Sequence, residues 1–100
     1  MIRVVKRFQL GQIVATPNAL EALERAVENA HAYLGRHASG DWGEVDSGDW
    51  KLNDDALKDG GRLLSAYTLA DKKTRIWILT EAADDSGQRA CTTIMLPSDY

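Results

Sequence analysis

Three strand-like runs follow one another in the second half of this chain, separated only by short polar turns. They span residues 62–69, 74–82 and 89–96. In the middle run, Ile76 and Ile78 share one predicted face with Thr80, and the residues between them form the other face. Consecutive strands with short connections pair antiparallel. The sequence therefore predicts an antiparallel sheet in this half.

An apolar stripe in the first half predicts a single long helix. Thr16 and Pro17 are typical of an N-cap followed by proline at the first helical position. From there, apolar residues recur at spacings of three and four, which marks one face of a helix of about five turns. These residues are Leu20, Leu23, Val27, Ala30 and Leu34. Either Gly35 or Gly40 could form the left-handed cap, so the end of this helix stays open.

The remaining segments complete a prediction of one globular domain over residues 1–100. Residues 8–15 are β-prone. A second, shorter helix can be capped by Asp46 or Ser47 and can end at Gly60. The predicted order is β-α-α-β-β-β. This is a two-layer α+β fold whose antiparallel sheet is covered on one face by the long amphipathic helix.

The composition indicates a soluble domain, with 44% hydrophobic and 27% charged residues. No stretch approaches the roughly 18 apolar residues of a membrane helix. Cations interrupt the apolar residues of segment 1–7, which thus lacks the core of a secretory signal, and we expect a cytoplasmic protein without a membrane partner. The one cysteine, Cys91, is expected to be small and buried. With His31 and His37 it offers too few ligands for zinc, so no metal or cofactor is predicted.

Two copies of Gly-Asp-Trp lie within residues 40–50 and place two of the three tryptophans beside four carboxylates and no cation. The wider segment 41–59 holds seven acidic residues against Lys51 and Lys58, an excess of five negative charges. A groove for nucleic acid normally shows cations between its aromatic residues. Aromatic residues among acids favour a basic protein surface as the partner and argue against direct binding of duplex nucleic acid.

The two Gly-Asp-Trp copies are predicted to play different parts. Trp50 falls on the apolar side of the short helix and is expected in the core, whereas Trp42 sits in a glycine-flanked turn and is the better candidate for a contact residue, with its exposure left open. The predicted partner-binding residues are Asp41, Trp42, Glu44, Asp46, Asp49, Asp54 and Asp55. Such acids could bind a divalent cation, but they do not fit the calcium-loop pattern, and turns in which Asp caps backbone amides are commoner.

A polar cluster offers an alternative, in which the chain is a small ligand-binding domain or an enzyme. The cluster consists of His37, Asp41, Asn53 and Arg62. An imidazole beside a carboxylate can act as a general base, but a histidine near a helix C-terminus is also favoured by the helix dipole alone. Arg62 can equally form an ion pair with nearby acids. The chain has no phosphate-binding loop or nucleophile elbow, and no catalytic residue is predicted.

A third alternative is a nucleic-acid binder that uses Arg3, Lys6 and Arg7. These cations lie in a segment without acids, which is the electrostatic pattern of phosphate contacts. The oligomeric state stays open.

Short blocks along nearly the whole chain resemble a known family. They are residues 11–16, Arg36-His37 with Gly40-Asp41-Trp42-Gly43, then Asn53, Ala56, Gly60, Arg62, Ser65 and Tyr67, then Trp77 with Thr80-Glu81, and Thr92-Thr93 with Leu96-Pro97 and Tyr100. The chain resembles a family of small uncharacterised proteins carried on bacterial plasmids and integrative elements. That family brings no established catalytic residue, and this chain departs from it in a longer turn at 83–89.

The resemblance implies a biological setting. Small proteins on mobile elements often counter host defences by binding CRISPR effectors or restriction enzymes, whose nucleic-acid channels are basic. We therefore expect a non-catalytic inhibitor or modulator of such a system, an anti-CRISPR or anti-restriction protein, that binds through its acidic segment. The net charge of −3 is too small for a full DNA mimic, so a localised patch is expected to carry the binding.

Overall fold

Residues 6–100, which the computed structural model describes, form a four-stranded sheet with helices packed against it. The strands are β1 (Gln12–Ala15), β2 (Leu63–Thr68), β3 (Arg75–Thr80) and β4 (Cys91–Met95). The helices are α1 (Pro17–Arg25), α2 (His31–Ala38) and α3 (Ser47–Asp59), and a short 3-10 helix follows at Pro97–Asp99. The α+β class is confirmed. In this part of the chain, no helix combines the length and the apolar character needed to cross a membrane.

The sheet is mixed, with strand order β1-β4-β3-β2. β2, β3 and β4 form the predicted antiparallel meander, in which Ile78 lies opposite both Ser65 and Ile94. β1 joins the outer edge of β4 in parallel, with Ile13 opposite Thr92. The prediction of a wholly antiparallel sheet is wrong at β1. No turn joins β1 to β4, because three helices and two strands separate them, and long connections of this kind permit parallel pairing.

The predicted single long helix is wrong, because the chain breaks between α1 and α2 at Val27. The N–H of Val27 donates to the carbonyl of Glu24 (3.0 Å), and the N–H of Glu28 donates to the carbonyl of Leu23 (3.0 Å). These two bonds close α1 in a Schellman arrangement. Val27 adopts a φ of 57° in the left-handed region. Its side chain is 90% exposed and does not reach the core.

One contact that is distant in sequence and two local contacts favour this break. The carboxylate of Glu28 accepts from the hydroxyl of Tyr33 (2.6 Å) and from the N–H of Ala70 (2.7 Å), and so joins the end of α1 to the turn after β2. The side chain of Asn29 accepts from the N–H of His31 (3.0 Å) at the start of α2. Together these bonds replace those that a continuous helix would form here.

The main hydrophobic core lies between the helices and one face of the sheet. Ile76, Ile78 and Thr80 are fully buried, as the alternation along β3 predicts. Ile76 and Ile78 pack in one cluster with Leu23 of α1 and Leu34 of α2. The packing of two helices on one sheet face therefore replaces the single covering helix.

α3 begins and ends where the sequence predicts. Asp46 is the N-cap, and its carboxylate accepts from the N–H of Asp49 (2.8 Å). Gly60 ends the helix in the left-handed region, with a φ of 86°. On its inner side, Ala56 packs with Trp42 in a second hydrophobic cluster. α3 is therefore held against the segment that carries the first Gly-Asp-Trp copy.

Candidate functional site

Trp42 is a core residue, so it is not the contact tryptophan that its glycine-flanked position suggested. Its side chain has 0% exposure. The indole stacks on Phe8, with ring centroids 6.0 Å apart, and meets the ring of His37 edge-on at 5.5 Å. Its Nε1–H donates to Oδ1 of Asp54 (3.0 Å), so the buried donor is satisfied. Trp50, expected in the core, is half-buried at the margin of the same cluster.

The loop around the first Gly-Asp-Trp copy lies along the outer edge of β2. The N–H of Ala66 donates to the carbonyl of Trp42 (3.1 Å), and the N–H of Glu44 donates to the carbonyl of Ala66 (2.7 Å). Gly43 thereby forms a one-residue parallel bridge with Ala66. Glycine is required here because φ is 74° and a Cβ would overlap the carbonyl oxygen of Ala66. Residues 42–44 thus act as a very short additional strand.

Two side chains complete the pairing of this edge. Asn53 donates from Nδ2 to the carbonyl of Leu64 (2.8 Å) and accepts at Oδ1 from the N–H of Leu64 (3.1 Å). The carboxylate of Glu44 accepts from the N–H (2.8 Å) and the hydroxyl (3.0 Å) of Thr68. The outward N–H groups of residues 64, 66 and 68 therefore all have acceptors. An edge strand occupied in this way does not offer a template for another strand.

Asp41 is engaged within the fold. Nε of Arg36 donates to Oδ2 of Asp41 at 2.7 Å, and this bond holds the pKa of the Asp41 carboxyl below its usual value. The hydroxyl of Tyr67 donates to the backbone carbonyl of Asp41 (2.6 Å). The Arg36 guanidinium lies 4.6 Å from the centre of the Tyr67 ring. These contacts fix the end of α2 to β2, and they balance the charge of Asp41.

Most of the predicted contact carboxylates have hydrogen-bond or ion-pair partners within the fold. Glu44 accepts the hydrogen bonds from Thr68, and Asp54 accepts the one from the Trp42 indole. Asp55 forms an exposed ion pair with Lys51 at 3.2 Å. Together with Asp46, which caps α3, these residues already have partners within the fold. By contrast, the carboxylate of Asp49 is exposed and forms no salt bridge within residues 6–100.

A groove of about 400 Å³ lies between α3 and the start of β2, and we name it the α3–β2 groove. Its apolar lining includes Val45, Leu52 and Leu64. Leu52 is 66% exposed. The charged residues of the lining are Asp49, Asp55, Asp59 and Arg62. The groove therefore combines an apolar floor with a mainly acidic rim.

The four residues of the alternative polar cluster do not come together. Asn53 and Arg62 line the α3–β2 groove, but His37 and Asp41 are not part of its lining. The Arg62 guanidinium lies 5.6 Å from the ring centre of Tyr100. Among the described residues Arg62 forms no ion pair with an acid, so the expected neutralisation of the acidic segment is not observed.

His37 is fully buried in a chain of hydrogen bonds. Its Nδ1 contacts Oγ of Ser65, its Nε2 contacts Oγ1 of Thr80 (2.9 Å), and Thr80 contacts Oγ1 of Thr92 (2.7 Å). The Thr92 end of this chain fixes the direction of each hydrogen bond. The Thr92 hydroxyl donates to the carbonyl of Leu10 (2.6 Å), because a carbonyl can only accept. Thr80 must then donate to Thr92, and Nε2–H of His37 must donate to Thr80. Ser65 is left to donate to Nδ1.

This order assigns His37 as the neutral tautomer with its proton on Nε2. Burial, with a smaller effect from the positive charge of Arg89, lowers the pKa of His37 to about 3. Ser65 is fully buried as well, so no substrate reaches the Ser65–His37 pair in this structure. The arrangement therefore connects α2 to the sheet, and it does not resemble a base poised at a surface.

Arg89 is a buried cation that sequence reasoning missed. Nη1 donates to the carbonyls of Gly61 (2.7 Å) and Glu81 (3.0 Å), and Nη2 donates to the carbonyl of Ala56 (3.1 Å). The residue is only 8% exposed. Carbonyls at the C-terminal end of a helix favour a cation because of the helix dipole. No local pattern points to this role, because Ala56 and Arg89 are 33 positions apart.

The structure also shows the environments of Cys91 and of the N-terminal cations. Cys91 is a free thiol that is half-buried rather than buried as expected. Of the three N-terminal cations, Lys6 and Arg7 are exposed, and Arg3 lies outside the described residues. Within the described range, no three His, Cys, Asp or Glu side chains are grouped to hold a metal ion.

No family model, curated protein or solved structure matches this chain.

Proposed function

We propose that the chain is a non-catalytic interaction protein that binds a basic protein surface through the α3–β2 groove. The observation that carries the proposal is Leu52, which is 66% exposed. It shares the groove with the carboxylates of Asp49, Asp55 and Asp59. Together with Val45 and Leu64 it gives the groove an apolar lining with a charged rim, and an apolar patch rimmed by polar residues is typical of a protein–protein contact surface.

The charge of α3 supports the same partner chemistry. From Asp46 to Asp59 the chain has five acids and two lysines, an excess of three negative charges on a 13-residue helix and its cap. A localised negative field steers a positive partner and raises the association rate more than the affinity. The complementary surface is expected to place Lys or Arg opposite the acids and an apolar side chain over Leu52.

The resemblance to proteins of mobile elements suggests what such a partner is. We propose a component of a host defence system, a CRISPR or restriction nuclease, whose basic surface handles nucleic acid. Within this proposal the chain acts in the cytoplasm as an inhibitor or modulator. Trp42 contributes to it only indirectly, by holding the loop that occupies the β2 edge.

Two charge-matched variants test the groove. The groove variant combines Asp49→Asn, Asp55→Asn and Asp59→Asn. The control variant removes three exposed charges outside the groove lining, by Glu24→Gln, Glu81→Gln and Asp85→Asn. Each variant and the wild type are used as bait in host lysate, and captured proteins are quantified by mass spectrometry. A partner with a basic surface should be recovered by the wild type and the control, and it should be lost with the groove variant.

A Leu52→Ala variant tests the anchor against the purified partner. Removing a hot-spot side chain should weaken binding by at least about tenfold in a titration. Equal binding by the groove and control variants, or an unchanged affinity for Leu52→Ala, would contradict the groove proposal. Recovery of a basic partner outside any defence system would retain the groove and overturn the proposed setting.

The small-ligand alternative has less support from the geometry. Asn53 lines the groove, but its carboxamide is committed to the backbone of Leu64. His37 is enclosed and uncharged, and Asp41 is paired with Arg36. Arg62 is therefore the one member of that cluster with a charged group exposed at the groove.

A further inference from the structure

A second pocket, at the C-terminal end of α3, is lined by three cations: Arg7, Lys58 and Arg89. Its volume is about 390 Å³, which lies in the range of small-molecule sites. Among residues 6–100, no Asp or Glu belongs to its lining. In a chain with a net charge of −3, a lining with three cations and no acid departs from the overall charge balance.

Arg89 forms the buried part of this pocket. Three of its five N–H groups donate to carbonyls, and the other two have no acceptor among the described residues. Carbonyls carry only partial charges and do not neutralise a guanidinium. Burial lowers the pKa of Arg89, and the carboxylate of Asp59 opposes this effect without forming a salt bridge. Arg89 thus has no salt bridge within residues 6–100, and its N–H groups that lack an acceptor are not sealed in the interior.

The other two cations belong to the solvent-accessible part of the lining. Arg7 and Lys58 are exposed, and neither forms a salt bridge within residues 6–100. The Arg7 side chain lies over Gly40, where an added Cβ would come within 3.2 Å of Cδ of Arg7. The glycine therefore leaves room for the arginine. Lys58 belongs to the last turn of α3.

We propose that this pocket binds the phosphate group of a small molecule, with Arg7, Lys58 and Arg89 as its charged ligands. A single carboxylate would leave two of the three positive charges uncompensated, whereas a phosphate group carries close to two negative charges near neutral pH. Phe8 lies beside Arg89, with the guanidinium 5.8 Å from its ring centre, and Leu57 lines the same pocket. These two side chains form an apolar wall for the organic part of the ligand.

The test is a titration of the isotopically labelled full chain, followed by amide NMR shifts at constant ionic strength. The probes are inorganic phosphate, adenosine 5′-monophosphate and adenosine. The pocket variant is Arg7→Gln with Lys58→Gln, which leaves the buried Arg89 in place. The control variant, Lys73→Gln with Arg75→Gln, removes the same charge from exposed positions outside the pocket lining.

Saturable shifts near Gly60 and Gly87 are expected for inorganic phosphate and for the monophosphate. The pocket variant should bind at least about tenfold more weakly than the wild type, because two charge-assisted contacts are lost. The control variant should stay within about twofold, since only screened long-range charge is removed. Tighter binding of the monophosphate than of phosphate would identify an organic ligand, and equal binding would identify the inorganic group. Absence of saturation, equal weakening in both variants, or equal binding of adenosine would overturn the proposal.

Discussion

The carboxamide of Asn53 pairs with the backbone of Leu64 as a neighbouring strand would. Its Nδ2 donates to the carbonyl at 2.8 Å, and its Oδ1 accepts from the N–H at 3.1 Å. The side chain is 5% exposed, so water does not replace either bond. A residue of α3 thereby pairs with the β2 edge at Leu64. The next outward-facing position of that edge, Ala66, pairs with residues 42–44.

Replacing this carboxamide by a carboxylate should destabilise the fold. Asn53→Asp places a second acceptor opposite the carbonyl of Leu64 and leaves a partly desolvated charge. The expected loss in the free energy of unfolding is about 2 kcal/mol or more. Urea denaturation at pH 7 measures it. Gln88→Glu, which makes the same chemical change at an exposed position, is the control and should be nearly neutral. A loss no larger than that of the control would show that the pairing contributes little.

The bridge at Gly43 predicts a large difference between two glycine substitutions. Gly43→Ala forces a Cβ into the carbonyl of Ala66 and brings it to 2.7 Å from Cδ1 of Tyr67, at a φ of 74°. The expected loss is at least about 3 kcal/mol, because backbone on both sides must move. Gly35→Ala is the control, since a Cβ there meets nothing within 4 Å. Because Gly35 lies in the middle of α2, Gly35→Ala should raise the free energy of unfolding by about 0.5 to 1 kcal/mol.

Thermal unfolding of both alanine variants distinguishes these cases. If Gly43→Ala unfolds at the temperature of the wild type, residues 42–44 are not held against β2 as described. Hydrogen exchange gives a second measurement, because the amides of Glu44 and Ala66 should lose protection together when the bridge is disrupted.

The left-handed Val27 predicts a stabilising substitution. A β-branched residue at a φ of 57° is strained, and its side chain is 90% exposed, so little packing is lost on its removal. Val27→Gly should raise the free energy of unfolding by about 1 kcal/mol, because glycine adopts this conformation without a Cβ clash. Val27→Ala is the matched control, since it shortens the side chain but keeps the Cβ. Equal stability of the glycine and alanine variants would show that the backbone at Val27 is not strained.

α3 and the three C-terminal strands were predictable because local signals act on them. The carboxylate of Asp46 caps a helix at its own start, and Gly60 ends it with a left-handed residue. Alternation along β3 identifies its buried face without knowledge of what packs there. In each case the residues that decide the structure are close neighbours in the chain.

The break at Val27 and the burial of Trp42 depend on distant partners instead. Glu28 binds the N–H of Ala70, 42 positions away, and only the folded sheet brings that amide near. The indole N–H of Trp42 is satisfied by Asp54 across a loop and a turn of helix. The sequence of this acidic segment is equally compatible with an exposed turn. Its pattern therefore could not show that Trp42 packs inward.

The buried neutral state of His37 predicts acid sensitivity in a defined pH window. Its pKa is lowered from an ordinary value of 6.5 to about 3, so between these values the unfolded chain binds a proton that the folded chain does not. Stability is therefore highest above about pH 6.5 and falls as the pH drops toward 3. From pH 7 to pH 5 the expected loss is about 2 kcal/mol. Urea denaturation at both values measures it, and His37→Gln should abolish the difference. The imidazole signals of His37 should also stay in the neutral form down to pH 5. An undiminished slope in the variant, or protonation of His37 near pH 6, would show that this histidine is not held neutral by burial.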